Sequence, residues 1–171
     1  PEDIDRTQGG FPWDFTRPTA LIASEVLEMY IPLILMLMFP QWSSGTYLDL
    51  LGNVAQAKRR EATYASVDIV VTGVPGVRLP EGTMFSTEEI DDEGTVTFLS
   101  DASYTIGEEG TVTVHAIAEE PGKDGNVPEK TIVLLQDAID GITQVENPEK
   151  ATGGSDEEDD DTFRERIIAA Y

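Results

Sequence analysis

The sequence has 171 residues and no cysteine, and its 33 acidic and 11 basic residues give a net charge of −22. The lack of cysteine excludes disulfide scaffolds, cysteine-ligated zinc sites and cysteine nucleophiles. The negative charge disfavours DNA, RNA and anionic lipid as partners, because binding to phosphates needs a basic surface. Hydrophobic residues make up 40% of the chain, enough for one or two globular domains with a core.

The first part of the chain, residues 1–62, has the pattern of a helical region. Apolar residues fill 19–39 with almost no strand-like alternation. Pro18 is expected in the first helical turn, with Asp14 or Thr16 as the N-cap, because proline and small polar residues are favoured at those positions.

The second half of this helix, residues 30–39, is apolar on every side, and Pro32 is expected to kink or split it. A membrane span needs about 20 apolar residues. The apolar run is shorter, and Glu25 and Glu28 precede it, so we expect no membrane span. We predict instead that the chain forms a dimer or higher oligomer through this helix. The residues expected near that interface are Leu33, Ile34, Leu37 and Met38.

A second helix is predicted over 46–60, with Ser43 or Ser44 as its cap. Its last turn would then contain Lys58, Arg59 and Arg60. These three cations would complement the helix dipole there, which is a better explanation in so acidic a chain than a phosphate-binding patch.

The central part, residues 63–146, is predicted to be a small antiparallel β domain of sandwich-like form. Short apolar runs alternate with Gly and Pro, as is typical of such domains. The triplet Glu-Gly-Thr occurs three times, and its glycines (Gly82, Gly94 and Gly110) are suited to tight turns with positive φ. The predicted strands are 66–73, 94–99, 103–106, 111–118 and 131–135.

The last part, residues 147–171, reads as a Gly-rich linker, an acidic run and the start of a further helix. In that helix Phe163 and Ile167 are four residues apart, and the preceding acids would lie at its positive end. The sequence ends at Tyr171 within this pattern, so we expect it to be a piece of a longer protein. The fold class predicted for the whole is α+β.

No catalytic, cofactor or metal site is predicted. His115, the only histidine, alternates away from the apolar residues of its strand, and no motif places a nucleophile beside it. The acidic run 156–161 lacks the ligand spacing of a calcium loop, so a solvated helix start is the better interpretation. We therefore expect a protein that is not an enzyme and needs no cofactor.

Five segments, in order, resemble the baseplate J-like family of contractile phage tails. SSGTYLDLLGNVAQAKR (43–59) is similar to that family's segment before its β domain, and PGVRLPEGTMFST (75–87) to its strand-turn-strand. The other matching segments are EEPGKDGNVPEKTI (119–132), GITQVENPEKATGGSDEEDDDTFRERI (141–167) and, more loosely, residues 1–20.

The resemblance implies a structural role in the wedge or inner ring of a contractile-tail baseplate. It implies assembly in the host bacterial cytoplasm and contacts with sister copies and other wedge proteins. The chain departs from the family at LILMLMF (33–39), where the family's helix is usually amphipathic, so this surface must be covered by something. Two alternatives are a β-sandwich binding or adhesion module and, less favoured, a tail-associated hydrolase.

Overall fold

A computed structural model describes residues 10–88 and 94–170. The chain divides into two compact units. The helical unit comprises residues up to Arg59 and from Asp159 onward, and the β unit comprises Arg60–Glu158. The predicted α+β class is confirmed, with helices first, an antiparallel sheet in the middle and a helix last.

The helical unit opens with α1 (Phe11–Glu25), a π-helical turn (Val26–Tyr30) and α2 (Ile31–Met38). The predicted start was wrong. Gly10 is the N-cap, the first turn holds Pro12, and Pro18 lies inside α1. An earlier proline therefore meets the same first-turn preference. Pro32 does not split the helix, which continues from α1 to α2; instead a widened π turn comes directly before the short helix that carries the proline.

Helix α3 (Gly45–Val54) ends six residues before the predicted end. Gln56 adopts a left-handed conformation, with φ of 57°, and the Ala57 N–H donates to the Gly52 carbonyl at 2.8 Å. The Gln56 N–H donates to the Asn53 carbonyl, which completes a Schellman motif. The prediction missed it because glutamine stands where glycine is usual, and Lys58, Arg59 and Arg60 consequently lie outside the helix.

Helix α4 (Asp160–Ala169) packs on α3 and completes the core of the helical unit. Leu48, Phe163 and Ile167 are all fully buried in this small cluster. Gly52 is buried beside them because its lack of a side chain leaves room for the Phe163 ring. Arg59 and Arg166 also lie over that ring, 4.8 Å and 5.4 Å from its centroid.

The β unit contains a six-stranded antiparallel sheet in the order β7-β3-β4-β6-β1-β8. The structure confirms strands in all five predicted runs, although most are shorter than predicted, and adds β2, β3 and β8 to them. A separate pair joins β2 and β5. The strands are β1 (Ser66–Gly73), β2 (Arg78–Leu79), β3 (Met84–Thr87), β4 (Thr97–Ser100), β5 (Tyr104–Thr105), β6 (Thr111–Ala118), β7 (Ile132–Leu135) and β8 (Ile142–Glu146).

The sheet curls so that its two edge strands, β7 and β8, come close together. Asn147, fully buried just after β8, connects them. Its Oδ1 accepts from the Ile132 N–H at 2.8 Å, and its Nδ2 donates to the Pro128 and Glu149 carbonyls. The Asn147 carbonyl also accepts from the Lys130 N–H at 2.8 Å. The result is a barrel-like unit closed by a side chain rather than by a continuous ladder.

The chain enters and leaves the β unit at neighbouring points. Thr63 and Ser155 form an antiparallel bridge, and so do Ser66 and Thr152. The Glu158 N–H donates to the Arg60 carbonyl at 3.0 Å, which extends this pairing to the limits of the unit. The β unit is therefore inserted, through a two-stranded stem, between two parts of the sequence that belong to the helical unit.

The charge is unevenly divided between the units. Residues 60–158 contain 22 acidic and 5 basic residues, a net charge of −17, which leaves −5 for the helical unit. Because like charges repel most at low ionic strength, we expect the β unit to gain stability as sodium chloride is added. Hydrogen exchange in β1 and β6 should slow between low and moderate salt; faster exchange would contradict this.

Candidate functional site

The main candidate surface is the exposed side of the first helix, here called the apolar helix surface (Phe15–Met38). None of its most apolar 18-residue stretch is buried. The four residues predicted for an interface all lie on it: Leu33 is half-buried, while Ile34, Leu37 and Met38 are exposed, Met38 by 62%. A contiguous apolar surface of this kind is unusual on a soluble monomer, which makes it the main candidate for a contact with another molecule.

This helix, 24 residues long, is also long and apolar enough to cross a membrane by length and composition. Length and composition alone do not separate a membrane helix from one that packs on protein. Glu25 and Glu28 lie near its middle, and Glu28 accepts a hydrogen bond from Ser24 at 3.1 Å. Acidic side chains at that depth of a bilayer are costly.

Arg164 on α4 fixes the turn that follows the apolar helix surface. Its Nε donates to the Pro40 carbonyl at 2.9 Å and its Nη2 donates to the Ser43 carbonyl at 3.0 Å. Pro40 and Ser43 are both buried. The turn between α2 and α3 is therefore held by a residue more than a hundred positions away in sequence.

Asp160 in the first turn of α4 connects three segments of the helical unit. Its Oδ2 accepts from the Gly45 N–H at 3.0 Å, and its Oδ1 accepts from Arg59 at 2.6 Å. Arg59 also donates to Asp49 at 2.9 Å. The Gly45 N–H and the Arg59 guanidinium lower the pKa of Asp160 below its ordinary value of 3.8.

The lowered pKa of Asp160 predicts a pH dependence of the helical unit. A carboxylate whose pKa is lower in the folded state contributes stability above its unfolded pKa and loses it as the pH falls through the folded value. The helical unit should therefore weaken as the pH falls below 3.8. Tryptophan emission can follow this, since both tryptophans lie in that unit. In Asp160→Asn the loss should be smaller; an unchanged profile would refute the assignment.

The acidic run 156–161 is occupied by contacts within the protein. Asp156 pairs with Lys123, Asp159 accepts from the Thr162 N–H as the N-cap of α4, and Asp161 pairs with Arg164. In residues 10–88 and 94–170 no group of three or more His, Asp or Glu is placed to hold a metal ion. Asp159 therefore caps α4, while Asp156 and Asp161 form ion pairs with Lys123 and Arg164.

His115 lies on the outer side of the sheet, as its alternation in β6 predicted. Its Nδ1 is 2.8 Å from Asp68 Oδ1 on the neighbouring strand β1. Its backbone N–H donates to the Tyr104 hydroxyl, which itself donates to Asp101 at 2.6 Å and thereby raises the pKa of the phenol. Both partners of the His–Asp pair are well exposed, so the pair contributes little stability.

Comparisons with known proteins identify the β unit. Residues 68–154, half of the chain, match the family model described as the baseplate J-like protein barrel domain. The chain belongs to the baseplate J-like family. Its β unit is the barrel domain of that family.

A solved structure supports the same fold for this baseplate J-like chain. A chain in the cryo-EM structure of the anti-feeding prophage baseplate, 6-fold symmetrised, aligns with a TM-score of 0.53 at 12% identity. The alignment covers 63% of this chain and 37% of that one, so this chain spans little more than a third of its length. The comparison with curated proteins found no match.

Two of the segments that resemble the baseplate J-like family occupy defined places in the barrel. Residues 75–87 include β2 and β3, and the turn between them contains Gly82 with φ of 80°. Asn147, from the Asn-Pro pair in the fourth segment, is the buried residue that closes the barrel. These two matches therefore correspond to a turn and a closure contact of the barrel.

Proposed function

We propose that this protein is an assembly component of the wedge or inner ring of a contractile-tail baseplate, with no catalytic role. The family match over residues 68–154 carries this proposal. Its partners would be sister copies and other wedge proteins. Assembly would take place in the cytoplasm of the host bacterium, and the net charge of −22 argues against nucleic acid as a partner.

Self-association through the apolar helix surface is the finer part of this proposal. The helix is exposed along its length in a unit whose own core is small. Residues 29–48 contain no charged side chain, so two copies can meet there without bringing like charges together. The net charge of −17 on the β unit would oppose contact between copies through that unit. A closed dimer is the commonest arrangement for one such surface.

The test is the mass of the protein in solution, measured by light scattering at tens of micromolar. We expect a dimer or higher oligomer for the natural sequence. Leu33→Glu with Leu37→Glu should shift the mass to monomer, because four charges per dimer would enter an apolar contact. Leu50→Glu with Val54→Glu is the matched control, since these residues are also exposed and four apart on α3.

Two outcomes would contradict self-association. One is a monomeric natural protein. The other is a natural protein that floats with neutral phospholipid vesicles while Leu33→Glu with Leu37→Glu does not, which would identify lipid as the cover. If Leu50→Glu with Val54→Glu also dissociates the oligomer, the contact lies on α3 instead.

The alternative of a glycan-binding module has little support in the described residues. Such sites present exposed aromatic rings, but Phe85 and Phe98 are fully buried in the core of the β unit. Tyr104 is half-buried and bonded to Asp101. Tyr64 is exposed, but it lies before the start of β1 and not in a strand.

A further inference from the structure

A second apolar surface lies on the outer side of the barrel and involves none of the helical unit. In the antiparallel register Met84 is opposite Leu99, and Leu99 is opposite Ile117. Their neighbours one position along, Phe85, Phe98 and Ala118, form the buried row, so Met84, Leu99 and Ile117 occupy the outer face. Leu134 on β7 lies diagonally beside Met84, because it is opposite Ser86.

These four residues form what we call the outer stripe: Leu134, Met84, Leu99 and Ile117. Leu134, Met84 and Ile117 are exposed by 44%, 37% and 38%, and Leu99 is half-buried between them. The stripe crosses four neighbouring strands, β7, β3, β4 and β6. At about 4.8 Å per strand it is roughly 14 Å long, the length of about ten residues of α-helix.

Acidic side chains flank the outer stripe on both sides. On one side, two residues after Ile117 and just beyond the end of β6, is the exposed Glu119. In the other direction is His115, opposite Asp68 on β1, with Asp101 next to it on the β4 side. The apolar row therefore lies between carboxylates, within a unit whose net charge is −17.

We propose that the outer stripe is the docking surface for another protein, one that presents an apolar ridge flanked by lysine or arginine. The apolar ridge would cover the stripe, and its cations would meet the carboxylates on both sides. A second copy does not fit, because it would bring the same acidic unit against itself. This inference goes beyond the self-association proposed for the helix and does not depend on it.

The test uses the full chain and a fluorescent amphipathic peptide of about 14 residues, with leucines on one helical face and lysines on the other. Binding is followed by fluorescence anisotropy at low and moderate salt. Ile117→Thr with Leu134→Thr removes apolar surface while keeping residues that favour strands. Val74→Thr is the matched control, since Val74 is exposed in the same unit but lies beyond the end of β1.

We expect the double variant to bind the peptide about tenfold more weakly, whereas Val74→Thr should bind like the natural protein. Glu119→Gln should weaken binding mainly at low salt. When Leu33→Glu and Leu37→Glu are also present, Ile117→Thr with Leu134→Thr should weaken peptide binding by the same factor. That result would separate the outer stripe from the apolar helix surface.

Three results would overturn the proposal. The first is equal binding by the double variant and the natural protein. The second is equal binding of a peptide with serine in place of leucine, because charge alone would then account for it. The third is a change in the mass of the protein itself in Ile117→Thr with Leu134→Thr, which would make the stripe a contact between copies.

Discussion

Replacing Asn147 with alanine should lower the free energy of unfolding of the β unit by about 3 kcal/mol. The side chain makes three hydrogen bonds, one accepted and two donated, and it is fully buried. Its removal leaves the Ile132 N–H and two carbonyls without these partners where the edge strands meet. Each such loss costs about 1 kcal/mol or more. For a unit of this size the melting temperature should fall by about 15 °C.

Hydrogen exchange in β1 and β6 is the suitable measurement, because these strands lie inside the sheet and open with the unit as a whole. Asn126→Ala is the matched control. Asn126 also binds backbone through both side-chain atoms, donating to the Gly154 carbonyl and accepting from its N–H, but it is exposed. A loss as large in Asn126→Ala as in Asn147→Ala would show that burial at the barrel edge is not what matters.

Replacing Phe163 with alanine should destabilise the helical unit by about 4 kcal/mol while leaving the β unit unchanged. The ring is fully buried between α3 and α4, in a core whose other fully buried apolar residues, among those that the structure describes, are Leu48 and Ile167. Its removal leaves a cavity and takes away the surface on which Arg59 and Arg166 lie. Ile168→Ala, at an exposed position of the same helix, should cost less than 1 kcal/mol.

The contact with Gly52 provides a second check of the same packing. A Cβ at Gly52 would overlap the Phe163 ring and lie 2.9 Å from the Ala57 carbonyl oxygen. Gly52→Ala should therefore destabilise the natural protein. In Phe163→Ala the same change should cost less, since the overlap with the ring is gone while the close approach to the Ala57 carbonyl oxygen remains. Tryptophan emission reports the helical unit alone; an equal cost of Gly52→Ala in both backgrounds would contradict the packing.

The alternation of apolar and polar residues was enough to predict the central strands β1 and β6. In β1 and β6 every second residue is apolar, so the inward faces could be assigned from 66–73 and 111–118, and the outward position of His115 followed. Strand β8 was missed because Ile142–Glu146 has only two apolar residues. The resemblance supplied β2 and β3, which local patterns alone would not have separated.

The contacts that hold the helical unit together could not be predicted, because they join distant positions. Nothing near Arg59 in the sequence indicates Asp160, and nothing near Pro40 indicates Arg164. The end of α3 was misplaced for a local reason, since Gln56 takes a left-handed conformation that usually signals glycine. The apolar helix surface, in contrast, was evident from composition, because no polar residue interrupts 30–39.

The two-stranded stem of the β unit sets an order of events on the ribosome. Helix α3 is complete at Val54, but the residue that fills the space beside Gly52 is Phe163. Synthesis of the intervening hundred or so residues takes roughly 5–20 s at bacterial rates. The β unit has all its strands before α4 is made, so it can fold first and bring the two ends of its stem together. The apolar helix surface is thus made before the β unit and before α4, and it is exposed to chaperones and to other nascent chains before its own unit is complete.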